Sequence, residues 1–171
     1  MRLGIELNET DLFVLNTLFQ EDLKGTYNQH YATQSILDDC ITSGCSKEKA
    51  SDSILCLVDL GFLDGMFTFN RSNLPNSVQL TTQGTDEACR RFISNFDEVL
   101  ERVGTQLLSL EDSQNAAVKQ IADGIQQPFL VVHNGLRFFA ALGWVKLGRE
   151  GSEYAYVTYV SPLLKRAMNQ D

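Results

Sequence analysis

The residues best suited to act on another macromolecule are cations in short groups. Lys47 and Lys49 follow Ser46, and Lys146 and Arg149 flank a glycine-containing turn, with Lys165-Arg166 close behind. Ammonium and guanidinium groups placed at a helix start or on a hairpin contact phosphates, and polar side chains on the same helix can reach base edges. Duplex DNA is therefore one expected partner, contacted by Lys47, Lys49, Ser51, Ser53, Arg137, Lys146 and Arg149. Gln127, His133 and Asn134 are further polar positions in the same stretch as Arg137. Glu48 and Asp52 interleave with the first group, so the same residues also fit a solvated helix start of mixed charge. The second group equally suits a surface that only keeps the chain in solution.

Other chemistry has little to build on. Cys40 and Cys45 are separated by four residues, with His30 upstream. A zinc site wants a tighter pair and usually four ligands, so packed or free thiols are expected, with no metal and no cofactor. His30 and His133 lie in no catalytic motif, there is no phosphate-cradling glycine loop, and Asp38-Asp39 reads as a solvated pair. No enzymatic activity is expected. Tyr154, Tyr156 and Tyr159 could stack bases, but aromatic residues on a hairpin more commonly pack across strands.

Charge argues against a strong nucleic-acid binder. The 171 residues carry a formal charge of -8. Residues 1–83 hold 5 Lys/Arg against 11 Asp/Glu, and residues 111–171 hold 6 of each. An acidic first half repels phosphate at long range, leaving the neutral second half as the better place for such a contact. Hydrophobic residues make up 43% and charged residues 21%, an ordinary globular composition. No apolar run is long enough to span a membrane, and the first ten residues lack a signal-peptide layout. A cytoplasmic protein that does not engage a membrane is expected.

These side chains need elements to hold them. Asn8 to Asp11 suits a helix start, and Leu12, Leu15, Leu18 and Phe19 give its apolar face. A polar loop is expected over 25–32, then a helix from Thr33 with Ile36, Leu37, Cys40 and Ile41 inward. A third helix is capped by Ser46, with Ala50, Ile54, Leu57 and Val58 inward. It stops at Leu60-Gly61-Phe62-Leu63. Alternation through Phe67 and Phe69, turn residues over 70–77, and Val78-Gln79-Leu80 predict a hairpin. Thr81 is then expected to cap one long helix over 82–109. Its stripe is Ala88, Phe92, Phe96, Val99, Val103 and Leu107, wider than a surface helix needs.

The pattern then repeats. Ala117 to Ile125 suits a short helix, and Pro128 opens another with Phe129, Val132, Leu136 and Phe139. This helix is apolar on most sides and reads as buried or partner-facing. Leu142-Gly143-Trp144-Val145 matches the first stop 82 residues on, with Trp144 expected in the core. A hairpin over 145–160 and a last helix begun by Ser161-Pro162 complete the unit.

This order resembles the winged helix-turn-helix superfamily. Leu57 to Leu63 resembles the end of its recognition helix, and Leu80-Thr81-Thr82-Gln83-Gly84 resembles the junction after the wing in MarR-like and PadR-like regulators. The resemblance implies a mainly α fold with small β-wings: two winged helices in tandem over 1–83 and 111–171, sharing a long central helix over 84–110. It implies a transcriptional regulator that binds DNA and forms a homodimer. Those families carry one winged helix per chain, so two here also resemble tandem winged-helix adaptors that bind other proteins. A protein partner or second copy is expected at Phe92, Phe96, Val99, Val103, Phe129 and Val132.

Overall fold

A computed structural model describes residues 6–25, 29–68 and 73–169. The chain is mainly helical with small antiparallel sheets, as the sequence pattern predicts. It divides into two compact units, Met1–Asp22 with Asn28–Phe92, and Leu23–Tyr27 with Ile93–Asp171.

In the first unit, α1 (Glu9–Leu23) starts with a reciprocal cap. The Asn8 side chain accepts from the amides of Thr10 and Asp11 at 2.8 and 3.0 Å, and Asp11 accepts from the Asn8 amide at 2.9 Å. Three backbone donors at the helix start are thereby satisfied, which fixes where the helix begins. Val14, Leu15, Leu18 and Phe19 are its buried face, and Leu12 is half-buried. The expected loop ends in an extended pair, β1 (Tyr31–Ala32), before α2 (Thr33–Thr42) and α3 (Lys47–Asp59). Ile41 is exposed, because the inward face of α2 is Thr33, Ile36, Leu37 and Cys40.

The helices rest on a three-stranded sheet in the order β1-β3-β2, with β2 at Leu63–Met66 and β3 at Ser77–Leu80. Leu63 faces Leu80 and Met66 faces Ser77, while Tyr31 faces Val78. The alternation expected through Phe69, and the turn residues Asn70 to Ser72, lie outside the described residues. Thr81 caps α4 (Thr82–Phe92), its hydroxyl accepting from the Gly84 amide at 3.0 Å.

The single helix expected over 82–109 is instead two. Asn95, at φ 57, takes the left-handed conformation between α4 and α5 (Phe96–Ser109). Asparagine tolerates that region better than most residues. The boundary between the units falls at this interruption, within the segment expected to be shared.

In the second unit α5 packs against α6 (Val118–Ile125), α7 (Phe129–Ala141) and α8 (Pro162–Met168). Glycines permit the close approach. A Cβ on Gly135 of α7 would stand 3.1 Å from Leu100 Cδ2, and one on Gly104 of α5 would stand 2.5 Å from Met168 Sδ. Three helix neighbours in its own unit account for the breadth of the α5 stripe. Arg102 donates to the Ile125 carbonyl, satisfying one of the orphan acceptors at the end of α6. The strands β4 (Val145–Gly148) and β5 (Tyr156–Val160) form a hairpin, and Ala117 makes one further bridge to Tyr156.

The element order of the first unit thus recurs in the second: helix, short extended pairing, two helices, hairpin, helix. The stops before the hairpins match in detail. Gly61 (φ 75) and Gly143 (φ 73) are both left-handed. Phe62 and Trp144 each donate to a carbonyl five residues back, at 2.9 Å in both cases. Their own carbonyls then accept from the amides of Thr81 and Ser161 at 3.0 and 2.7 Å. Each of those residues caps the helix that follows.

Candidate nucleic-acid and partner surfaces

The second hairpin presents the clearest group of cations. Lys146 stands opposite Tyr159 in register, and its ammonium lies 5.7 Å from that ring's centroid. The ring's negative face attracts the cation and holds the side chain along the strand. The pairing shifts between Lys146 and Leu147, and Thr158 donates to the Lys146 carbonyl at 3.1 Å beside that shift. Arg149 occupies the turn at φ 52, with its carbonyl accepting from the Ser152 hydroxyl at 3.0 Å. Both cations are exposed, as are Lys165 and Arg166 in the last turn of α8. Ser161, which caps α8, connects β5 to this helix. From Val145 to Asn169 four cations stand against two carboxylates, Glu150 and Glu153.

The helical surface of the first unit has the opposite balance. Ser46 accepts from the Lys49 amide at 3.3 Å and starts α3. Lys47 and Lys49 are exposed in its first turn, but so are Glu48, Asp52 and Asp59, together with Asp38 and Asp39 on α2. Ser51 is half-buried. Ser53 is 3% exposed: it continues the inward row of Ala50, Ile54 and Leu57 and has no surface with which to read a base.

The polar residues of α7 also point inward. From Leu130 to Leu136 every residue is buried, including His133 and Asn134 at 1% and 3% exposed. The His133 ring stacks on Phe129 with centroids 5.5 Å apart. Burial, with Arg137 adding to it, pushes the His133 imidazole down to about 4 and holds it neutral. Arg137 is half-buried.

The side chains expected to meet a partner are largely spent within the chain. Val103 and Val132 have no exposed surface, and Phe96 and Val99 are also buried. Phe92 is half-buried with its ring 6.3 Å from that of Phe19, and Phe129 is half-buried against His133. Among the described residues the exposed large apolar side chains lie elsewhere: Ile41, Met66 and Phe67 in the first unit, and Leu142, Tyr154, Tyr159 and Leu163 in the second.

One polar pair had no sequence signal strong enough to find it. Tyr31 donates to the Asp22 carboxylate at 2.7 Å. Burial raises the Asp22 carboxyl to about 6, against the stabilising effect of this bond, and the Tyr31 phenol is pushed above its ordinary range. The two residues are nine apart, across a segment read as loop, so no periodicity links them.

No family model, curated protein or solved structure matches this chain. Among the described residues, no helix is long and apolar enough to cross a membrane. No group of three or more His, Cys, Asp or Glu there is placed to hold a metal ion.

Proposed function

We propose that this chain is a non-enzymatic tandem winged-helix protein that works by binding a basic protein partner, with the exposed surface of α2 and α3 as its contact. The observation that carries this reading is the burial of α7 from Leu130 to Leu136. In a winged helix, α3 and α7 would be the recognition helices. A groove-reading helix needs exposed polar side chains, and α7 has turned His133 and Asn134 inward and leaves Arg137 only partly exposed. On α2 and α3 five exposed carboxylates face solvent with two lysines, a balance suited to cations and adverse to phosphate. The matching stops at Gly61 and Gly143, and the recurrence of element order, support the tandem winged-helix assignment.

A second reading rests on a different observation. Lys146 and Arg149 are exposed on one hairpin, with Tyr159 aligning the lysine. They support a contact of the second unit with the backbone of duplex DNA, as a transcriptional regulator would make.

Titrations of the full chain separate the two. The first reading expects an arginine- and lysine-rich helical peptide to bind, and Asp38→Asn with Asp52→Asn to weaken it several-fold. It also expects no binding to pooled random duplex DNA by fluorescence anisotropy, even at low salt. Steep salt-dependent DNA binding that is lost in Lys146→Ala/Arg149→Ala, with no peptide binding, overturns it in favour of the second.

A further inference from the structure

The turn between α2 and α3 joins two cysteines through their backbones. Gly44 is left-handed at φ 97, and its amide donates to the Ile41 carbonyl at 3.0 Å. The Cys45 amide donates to the Cys40 carbonyl, also at 3.0 Å. These two bonds define a Schellman closure, which is frequently accompanied by contact between the side chains of the residues that the longer bond joins. That position is usually filled by two apolar residues, and here both are cysteines. Burial first, then the charge of Cys45, pushes the Cys40 thiol up to about 11. Cys40 is fully buried and Cys45 half-exposed, with the Thr10 hydroxyl 3.8 Å and the Ser43 hydroxyl 4.0 Å from Cys45 Sγ.

We propose that Cys40 and Cys45 are a reversible redox pair, oxidised to an intramolecular disulfide by low-molecular-weight disulfides. The half-exposed Cys45 reacts first. Its thiolate attacks one sulfur of the small disulfide, that S–S bond breaks, and one small thiolate leaves. Cys40 gives up its proton and attacks Cys45 Sγ, forming the protein disulfide and expelling the second small thiolate. Two protein thiols are oxidised, one small disulfide is reduced to two thiols, and the two cysteine protons pass to the two leaving groups. The product ties the last turn of α2 to the residue before the α3 cap, Ser46, where the reduced turn has only hydrogen bonds and contact. Cys56 is also half-exposed, and Cys89 is buried.

The test equilibrates the full chain in glutathione buffers of graded ratio, then alkylates, digests with trypsin and weighs the peptides. The peptide from Gly25 to Lys47 holds Cys40 and Cys45 and no other cysteine. The expected result is a form of this peptide lighter by two hydrogen atoms and closed to alkylation, restored by excess reduced glutathione. Its midpoint in the folded chain should lie at least about tenfold further towards the oxidised form than in urea, because the fold supplies the proximity. In Cys45→Ser, Cys40 should remain alkylatable only after unfolding and take up no glutathione. Glutathione held on Cys45 with Cys40 still reduced at every ratio overturns the proposal, as do equal midpoints with and without urea.

Discussion

Gly84 lies with its backbone directly on the carbonyl oxygen of Phe62. A Cβ built at Gly84 would stand 2.0 Å from that oxygen, which also accepts from the Thr81 amide at 3.0 Å. The first turn of α4 is thus pressed onto the stop that ends α3. Gly84→Ala must separate the two against backbone on both sides. Destabilisation of about 3 kcal/mol is expected, at the upper end of overpacking costs, measured by urea unfolding. A loss under about 0.5 kcal/mol would mean that this junction yields freely.

Asp22 gives the first unit a pH dependence of defined sign. Burial pushes its folded carboxyl up to about 6, above the ordinary aspartate value of 3.8. Below the lower value both states hold the proton. Between the two the unfolded chain has released it while the folded chain retains it, so stability falls as pH rises through this window. In Asp22→Asn, which keeps an acceptor for Tyr31, the fall should vanish from the variant's own profile and so appear in full in the difference between wild type and variant. In Tyr31→Phe the bond that favours the carboxylate is lost, and the fall should extend to higher pH. A Tyr31→Phe profile shifted to lower pH would contradict this account.

His133 acts with the opposite sign. Burial pushes its imidazole down to about 4 in the fold, below the ordinary histidine value of 6.5. The folded chain therefore excludes a proton that the unfolded chain takes up, and stability drops as pH falls through that interval. The ring resonances of His133 should stay unmoved between pH 7 and 5.5 in a two-dimensional NMR titration. Movement over that range would show that water reaches α7.

Ser161 caps α8 through a bond from the Leu163 amide at 3.2 Å. Ser161→Ala should cost about 1 kcal/mol, as lost caps generally do. Ser161→Asp should recover most of it, because aspartate accepts the same bond. Thermal unfolding of the three proteins side by side reads both effects.

Helix starts were legible because they are written in side chains. Asn8, Ser46, Thr81 and Ser161 each cap the helix that their residue type predicts. The two glycine stops were legible for the same local reason. The break at Asn95 was not, because Phe92, Phe96, Val99 and Val103 keep helical spacing straight across it. β1 has two residues, too few for any alternation to show. At the candidate surfaces, polarity was the misleading cue. Ser53 sits at helical spacing from Ala50 and Leu57 and follows them inward. His133 and Asn134 are buried on a helix where Gly135 lets α5 come close, a tertiary effect that no local pattern contains. The exposed cations Lys47, Lys49, Lys146 and Arg149 were found correctly as exposed, since charge alone predicts that.

The interruption between α4 and α5 has a practical use. Ser94 and Asn95 are exposed, and the first bond of α5, from the Val99 amide to the Asn95 carbonyl at 3.2 Å, begins after the junction between them. A foreign segment spliced between these two residues would lengthen a connection without unwinding either helix or opening a core. A fluorescent reporter or a protease recognition sequence placed there should leave α4 and α5 intact.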